Sequence, residues 1–255
     1  MEHVELTIDG AVALVRLDRP PVNAINEQLA AELGEAFEMC ADPAIRAVVI
    51  TGQPHFAAGA DIKGFKAMMD AGSRDFTAAK LVESIGILER LEKPTIAAVH
   101  GFALGGGCEL SLGADFRYLA FDAKIGQPEI LLGIIPGAGG TQRLQRVIGF
   151  QRAKEIIYSG RQVPADEALD MGLADRVAPS EELLELAMSD AAEWAKKATL
   201  GIGAARRAMI GGRGLPVDQA MDLEQSQFQV TFATDDAVEG VDAFVEKRTA
   251  EFKGR

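Results

Sequence analysis

The sequence predicts an α/β fold with a mainly helical C-terminal region. Three observations carry that expectation: a strand-type alternation at the start, apolar runs of strand length separated by helical patterns over about the first 140 residues, and amphipathic helical patterns over about the last 60. Val4, Leu6 and Ile8 alternate with polar residues up to Asp9-Gly10, and Val12, Leu14, Val15 and Leu17 follow, so residues 4–17 read as a hairpin with a two-residue turn. After Pro20-Pro21, Asn26 is placed to cap a helix that Leu29, Leu33, Ala36 and Phe37 carry to about residue 39. A buried strand is expected at 47–51. A helix is expected over 75–92, with Leu81, Ile85, Leu88 and Leu91 on one face. Pro94 disfavours helical backbone at the residue before it, and the apolar strand 95–99 follows. Strand, helix, strand begins a βαβ succession. From about Gly140 helical patterns with short links take over, broken by one apolar piece, 174–177, able to return to a sheet. The C-terminal helices need a surface to bury against, either the preceding part of the chain or another subunit.

Composition removes several functions. With 26 Lys and Arg against 38 Asp and Glu, the net charge is -12, the wrong sign for holding a phosphate backbone. Apolar residues at 48% and charged residues at 25% suit a chain with a packed core. The 27 glycines in 255 residues exceed the typical ~7%, so tight turns and close backbone approaches are expected to matter. The longest stretch without a charge is 15 residues, at 94–108, short of the roughly 20 that a spanning helix needs. The first residues carry neither a basic segment nor an apolar leader, and a cytoplasmic location is the expectation. Cys40 and Cys108 are too few for a disulfide framework or a zinc cluster, and Cys108 reads as a small buried residue.

The three longest charge-free runs, 47–60, 94–108 and 130–142, are each bordered by a carboxylate: Asp61, Glu109 and Glu129. A carboxylate beside an apolar, glycine-rich run is a candidate for desolvation, which raises its pKa towards the range useful for proton transfer. The alternative is that each is merely the first polar residue after a buried segment, and the pattern alone leaves both readings open. Gly105-Gly106-Gly107 lead directly into Cys108-Glu109-Leu110-Ser111-Leu112, so a glycine loop opens into a helix whose first N–H groups point outward. Such a turn serves as half of an oxyanion hole, and the small residues 56–60 after a predicted strand offer a second N–H. Close packing alone would equally explain the glycines. Other chemistries find little support. No serine has a glycine two positions before it, which excludes the G-x-S-x-G elbow, and His3, His55 and His100 lack zinc-site spacing. Neither a phosphate-binding P-loop nor a complete G-x-G-x-x-G occurs.

Five segments in fixed order carry a resemblance. They are V-N-A-I-N at 22–26, F-A-A-G-A-D-I at 56–62 and A-A-V-H-G-F-A-L-G-G-G-C-E-L at 97–110. The last two are G-Q-P-E-I-L-L-G-I-I-P-G-A-G-G-T-Q-R-L at 126–144, and F-A-T-D-D at 232–236 with F-V-E-K-R at 244–248. Together they resemble the crotonase superfamily, and within it the enoyl-CoA hydratases, over essentially the whole chain. The resemblance implies a crotonase/ClpP-like spiral of ββα units over 1–195 holding the active site, and a helical trimerisation region over 196–255. Trimers that pair into hexamers are implied, with an acyl-CoA thioester as substrate. By motif position the two backbone donors for the thioester carbonyl fall on Ala58 and Gly106, and the two glutamates that handle water fall on Glu109 and Glu129. Glu109 is assigned to activating water and Glu129 to protonating C2. The resemblance further places Ala24, Ala60, Asp61, Ile62 and Leu104 around the CoA and thioester, and Phe228 and Lys247 at the nucleotide end, in this or a neighbouring subunit. Helix packing for Phe228 and a solvated face for Lys247 are the alternatives. Neither a metal nor a cofactor is expected, coenzyme A being part of the substrate.

His55, His100 and Pro54 depart from residues common in relatives, and the segment 63–76 is expected over the acyl pocket, which leaves chain-length preference open. Isomerases that shift the double bond often keep one of the two acids, so having both favours hydration over isomerisation or another crotonase-type reaction. A non-catalytic acyl-CoA-binding or scaffold protein would need neither acid. A nicotinamide-dependent oxidoreductase would require NAD(H) binding, and none is expected.

Overall fold

Residues 1–73 and 77–255 are described in the computed structural model. The opening alternation forms β1 (Val4–Asp9) and β2 (Val12–Leu17), paired antiparallel with Val4 opposite Leu17 and Asp9 opposite Val12. Asn26 caps α1 (Glu27–Met39) by accepting the Leu29 N–H at 2.9 Å. Leu29, Leu33 and Phe37 are fully buried on its inner face, each contributing about 1.5–3 kcal/mol by leaving water. The far end of α1 is closed from a distance. Lys93 Nζ donates to the carbonyls of Cys40, Asp42 and Ile45 at 2.6, 2.9 and 2.7 Å, placing an ammonium at the negative end of the helix.

β3 (Ala47–Gly52) is buried along its whole length because it runs parallel to β2 on one side and to β4 (Thr95–Val99) on the other. Between them lie α2 (Ile62–Asp70) and α3 (Ala79–Arg90). The helix expected from residue 75 begins at Ala79; its expected start, Asp75, lies outside the described residues. The chain then alternates between two sheets. β4 is followed by β5 (Phe102–Leu104) and α4 (Gly106–Gly113). β6 (Phe116–Ala120), parallel to β4, is followed by β7 (Lys124–Gly126), a 3-10 turn (Pro128–Leu132) and α5 (Gly140–Ile148). This repetition is the ββα spiral. α6 (Phe150–Ser159), β8 (Gln162–Pro164), α7 (Ala165–Asp170), β9 (Arg176–Ala178) and α8 (Leu183–Ala195) complete it. The large sheet has the order β1-β2-β3-β4-β6-β9, and the small one β5-β7-β8. The apolar piece at 174–177 does return to a sheet, through β9 parallel to β6.

α9 (Thr199–Gly211), α10 (Val217–Phe232) and α11 (Asp235–Glu246) follow. Arg206 ties α9 to the spiral through Asp115 at 2.8 Å and the carbonyls of Glu89 and Leu91, and Arg46 donates to Thr199, Lys197 and the Phe252 carbonyl. The chain's own body therefore covers part of this region. α10 has no buried residue, and Phe228, Phe232 and Phe244 are 58%, 68% and 86% exposed in the single chain. Among the described residues no helix is long and apolar enough to cross a membrane.

Candidate active site

All eight residues of α4 are buried, and its start is fixed by a close approach. A Cβ on Gly107 would lie 2.1 Å from the Ala57 carbonyl oxygen, so only glycine lets the first turn of α4 press against that segment. Glu109, in this first turn, is 3% exposed. Its Oε1 accepts the N–H groups of Ala138 at 2.6 Å and Gly140 at 2.8 Å. Gly140 is the first residue of α5, so the carboxylate sits on the helix N-terminus, where unpaired N–H groups and the dipole favour an anion. Burial pushes the Glu109 pKa up; the two N–H groups and the charge of Arg143 pull it back without cancelling the shift.

Glu129 stands in the 3-10 turn after β7. Burial raises its pKa to about 7; a backbone N–H opposes the shift and the charge of Glu109 adds to it. The buried Gln127 side chain faces it, with the amide nitrogen, turned to donate, 3.0 Å from Oε1 and 3.1 Å from Oε2. Two backbone donors fix the Glu109 carboxylate, while burial raises the pKa of both groups, that of Glu129 to about 7. Two carboxyls whose environments differ in this way can divide the roles of base and acid.

The backbone donors follow from strand parity. Ala57 bridges to β5, its N–H donating to the Phe102 carbonyl and its carbonyl accepting from Leu104. Successive N–H groups of an extended chain face opposite sides. Ala58 accordingly turns the other way and donates to the Val22 carbonyl at 3.0 Å. Ile25 in turn bonds to Gly59 and Asp61, the two neighbours of Ala60, so the Ala60 N–H faces away from Ile25. It donates to no acceptor among the described residues. A Cβ on Gly106 would lie 3.9 Å from the Ala60 nitrogen, and Gly106 opens α4 with its own N–H unpaired among the described residues. The donor expected on Ala58 is therefore corrected: that N–H is engaged by Val22, and the one beside Gly106 belongs to Ala60.

The remaining expected residues divide into two places. The Ala24 carbonyl accepts from Arg19 Nη1 at 2.7 Å, and Arg19 Nη2 reaches Asp61 Oδ2 at 2.8 Å. That guanidinium holds the Asp61 carboxyl below the usual range, and Asp61 also caps α2, whose first residue is Ile62. Leu104 ends β5 and is 9% exposed. Phe228 lines a groove with Phe232, Phe244 and Phe252 that contains neither glutamate, and Lys247 terminates α11 in left-handed backbone at φ 57°. The segment 63–76 begins within α2; its end, Phe76, lies outside the described residues. His100 is buried with Nε2 3.1 Å from the Ser180 carbonyl, and His55 stacks on Phe102 at 4.6 Å, both framework contacts. Among the described residues no three His, Cys, Asp or Glu side chains group as a metal site. Sequence reasoning missed Gln127, Arg143 and Arg19. The first two stand inside the quoted 126–144 segment, but their roles depend on side-chain partners that spacing does not reveal.

A family profile described as enoyl-CoA hydratase/isomerase matches residues 7–255. The chain is 40% identical to the crotonyl-CoA hydratase of Syntrophomonas wolfei, over 98% of each protein. It is 39% identical to the short-chain-enoyl-CoA hydratase of Clostridium acetobutylicum, over 100% of this chain and 99% of that one. The crystal structure of enoyl-CoA hydratase from Bacillus anthracis superposes with a TM-score of 0.91 at 35% identity, covering 99% of this chain and 100% of that one.

Proposed function

Because the chain belongs to the enoyl-CoA hydratase/isomerase family, we infer that it is an enoyl-CoA hydratase, adding water to a trans-2-enoyl-CoA thioester to give the 3-hydroxyacyl-CoA. The observation that carries the reading is the buried Glu109 and the half-buried Glu129 beside two N–H groups that have no acceptor among the described residues. The thioester oxygen accepts from Ala60 and Gly106. As the water oxygen bonds to C3, the electrons of the C2–C3 double bond move towards C1 and the thioester oxygen takes enolate charge. Fixed N–H donors stabilise that charge more than the neutral carbonyl, and losing one such donor typically costs about 2.7–4 kcal/mol. Glu109, ionised, takes the water proton; Glu129, protonated, delivers a proton to C2, closing the enolate to the product. Return of a proton from Glu109 to Glu129 resets the pair. Gln127 steadies Glu129 through either protonation state, since an amide is both donor and acceptor.

Ala24, Asp61, Ile62 and Leu104 surround the thioester and the adjoining pantetheine arm in this reading, and Phe228 and Lys247 meet the nucleotide end. The reaction needs no cofactor beyond the CoA carried by the substrate. The exposed apolar faces of α10 and α11 support assembly into trimers that pair as hexamers. The test is turnover of crotonyl-CoA by Glu109→Gln and Glu129→Gln. Each variant is expected to lose roughly 100- to 10,000-fold in kcat while still binding the thioester. Near-normal turnover in both would overturn the assignment.

A further inference from the structure

The geometry points to Arg143, braced by Glu89, as the positioning residue for the Glu109 carboxylate, a role that rests on Glu109 being the base. Arg143 lies in the first turns of α5 and reaches in two directions. Its Nε and Nη2 meet Glu89 Oε1 and Oε2, both at 2.7 Å, a two-pronged ion pair to α3. Its Nη1 donates to the Ala138 carbonyl at 2.7 Å. The N–H of that same Ala138 is the 2.6 Å donor to Glu109 Oε1. One residue therefore has its carbonyl held by the guanidinium and its N–H held by the carboxylate. Fixing the first fixes the direction of the second.

Gly139 shows how closely the guanidinium is built into this turn. Its φ of 105° is left-handed, and a Cβ there would lie 1.9 Å from Arg143 Nη1. The backbone angle calls for glycine, and a Cβ would in addition have to displace the guanidinium, so the 138–140 turn and the arginine are shaped to each other. Glu89 has a second function in this arrangement. It neutralises the arginine, so that the cation orients the turn without pairing directly with Glu109 and holding it as an inert ion pair. A lysine would keep the charge but has no planar fork to span Glu89 and Ala138 together.

The experiment compares Arg143→Met, Arg143→Lys, Glu89→Gln and Glu109→Gln in crotonyl-CoA hydration, with kcat and KM measured separately and Arg143→Met repeated in the Glu109→Gln background. Arg143→Met is expected to lower kcat by about 10- to 100-fold with KM within ~3-fold, the size of effect that a small misplacement of a reacting group produces. Arg143→Lys should recover part of the loss, and Glu89→Gln should show a smaller fall with the same kcat-only signature. In the Glu109→Gln background the loss should nearly vanish, because there is no carboxylate left to position. An unchanged kcat in Arg143→Met, or the same fold loss with and without Glu109, overturns the positioning role while leaving the base assignment intact. Near-normal turnover in Glu109→Gln alone overturns the base assignment and the proposal with it. Should Arg143→Met not fold, Glu89→Gln decides: kcat lowered at constant KM supports the role, and unchanged kcat overturns it.

Discussion

Glu129 is the residue at which pH and stability meet. Its pKa of about 7 lies above the 4.5 of a free glutamate because its charged form is poorly solvated. As the proton donor it must be neutral, so kcat/KM for hydration should fall as pH rises through about 7, while the acid limb belongs to ionisation of Glu109, also shifted upward. A rate that keeps rising to pH 9 would contradict this division. The same shift has a sign for folding. A carboxyl whose folded pKa is raised favours the native state below its unfolded pKa and loses that contribution as pH climbs through the folded value. Glu129→Gln should therefore be more stable than the wild type at pH 8, by about 1–2 kcal/mol, and equal to it near pH 4. The figure is below the roughly 3 kcal/mol of the whole shift because the carboxyl is only partly buried. Urea midpoints at the two pH values check it. Legibility at this scale was uneven. Both glutamates stood out beside their charge-free runs, whereas Ala58 and Ala60 are the same residue in one small-residue run, and only the bonding partners of Val22 and Ile25 tell them apart.

At the scale of elements, the long ones were readable and the short ones were not. α1 and β4 kept their expected ends because a cap at Asn26 and a proline at 94 mark them chemically. β5, β7 and β8 have three residues each, too few for an alternation to register, yet they form the second sheet and deliver α4 and the 3-10 turn to the site. The closure of α1 by Lys93 was equally invisible, since its partners lie about fifty residues away in the chain. Lys93→Met should remove the ammonium donor from three carbonyls, of which only that of Asp42 keeps a backbone N–H, from Ile45, among the described residues, and lower stability by about 3 kcal/mol, read from the denaturant midpoint. Because α1 packs against α3, the loss should appear as a global shift with little change in KM. A midpoint within experimental error of the wild type would contradict the role.

Across the whole molecule, the sequence distinguished the α/β front from the helical end but could not say what covers the end. The structure answers in part: Arg206 and Arg46 bind α9 to the spiral, while the aromatic faces of α10 and α11 stay open in the single chain. Light scattering should give a mass of three or six chains, and Phe244→Asp should lower it; a monomeric wild type would contradict the assembly. In the proposed reaction Glu109 and Glu129 hydrate an enoyl thioester in a pocket with two backbone donors. Its most direct test is the loss of conjugated-thioester ultraviolet absorbance on mixing the purified protein with crotonyl-CoA, with the Glu109→Gln, Glu129→Gln double variant alongside. Rapid loss with formation of the 3-hydroxyacyl-CoA is expected in the wild type and almost none in the double variant. Saturable binding without absorbance loss in the wild type, or equal loss in both proteins, would contradict it.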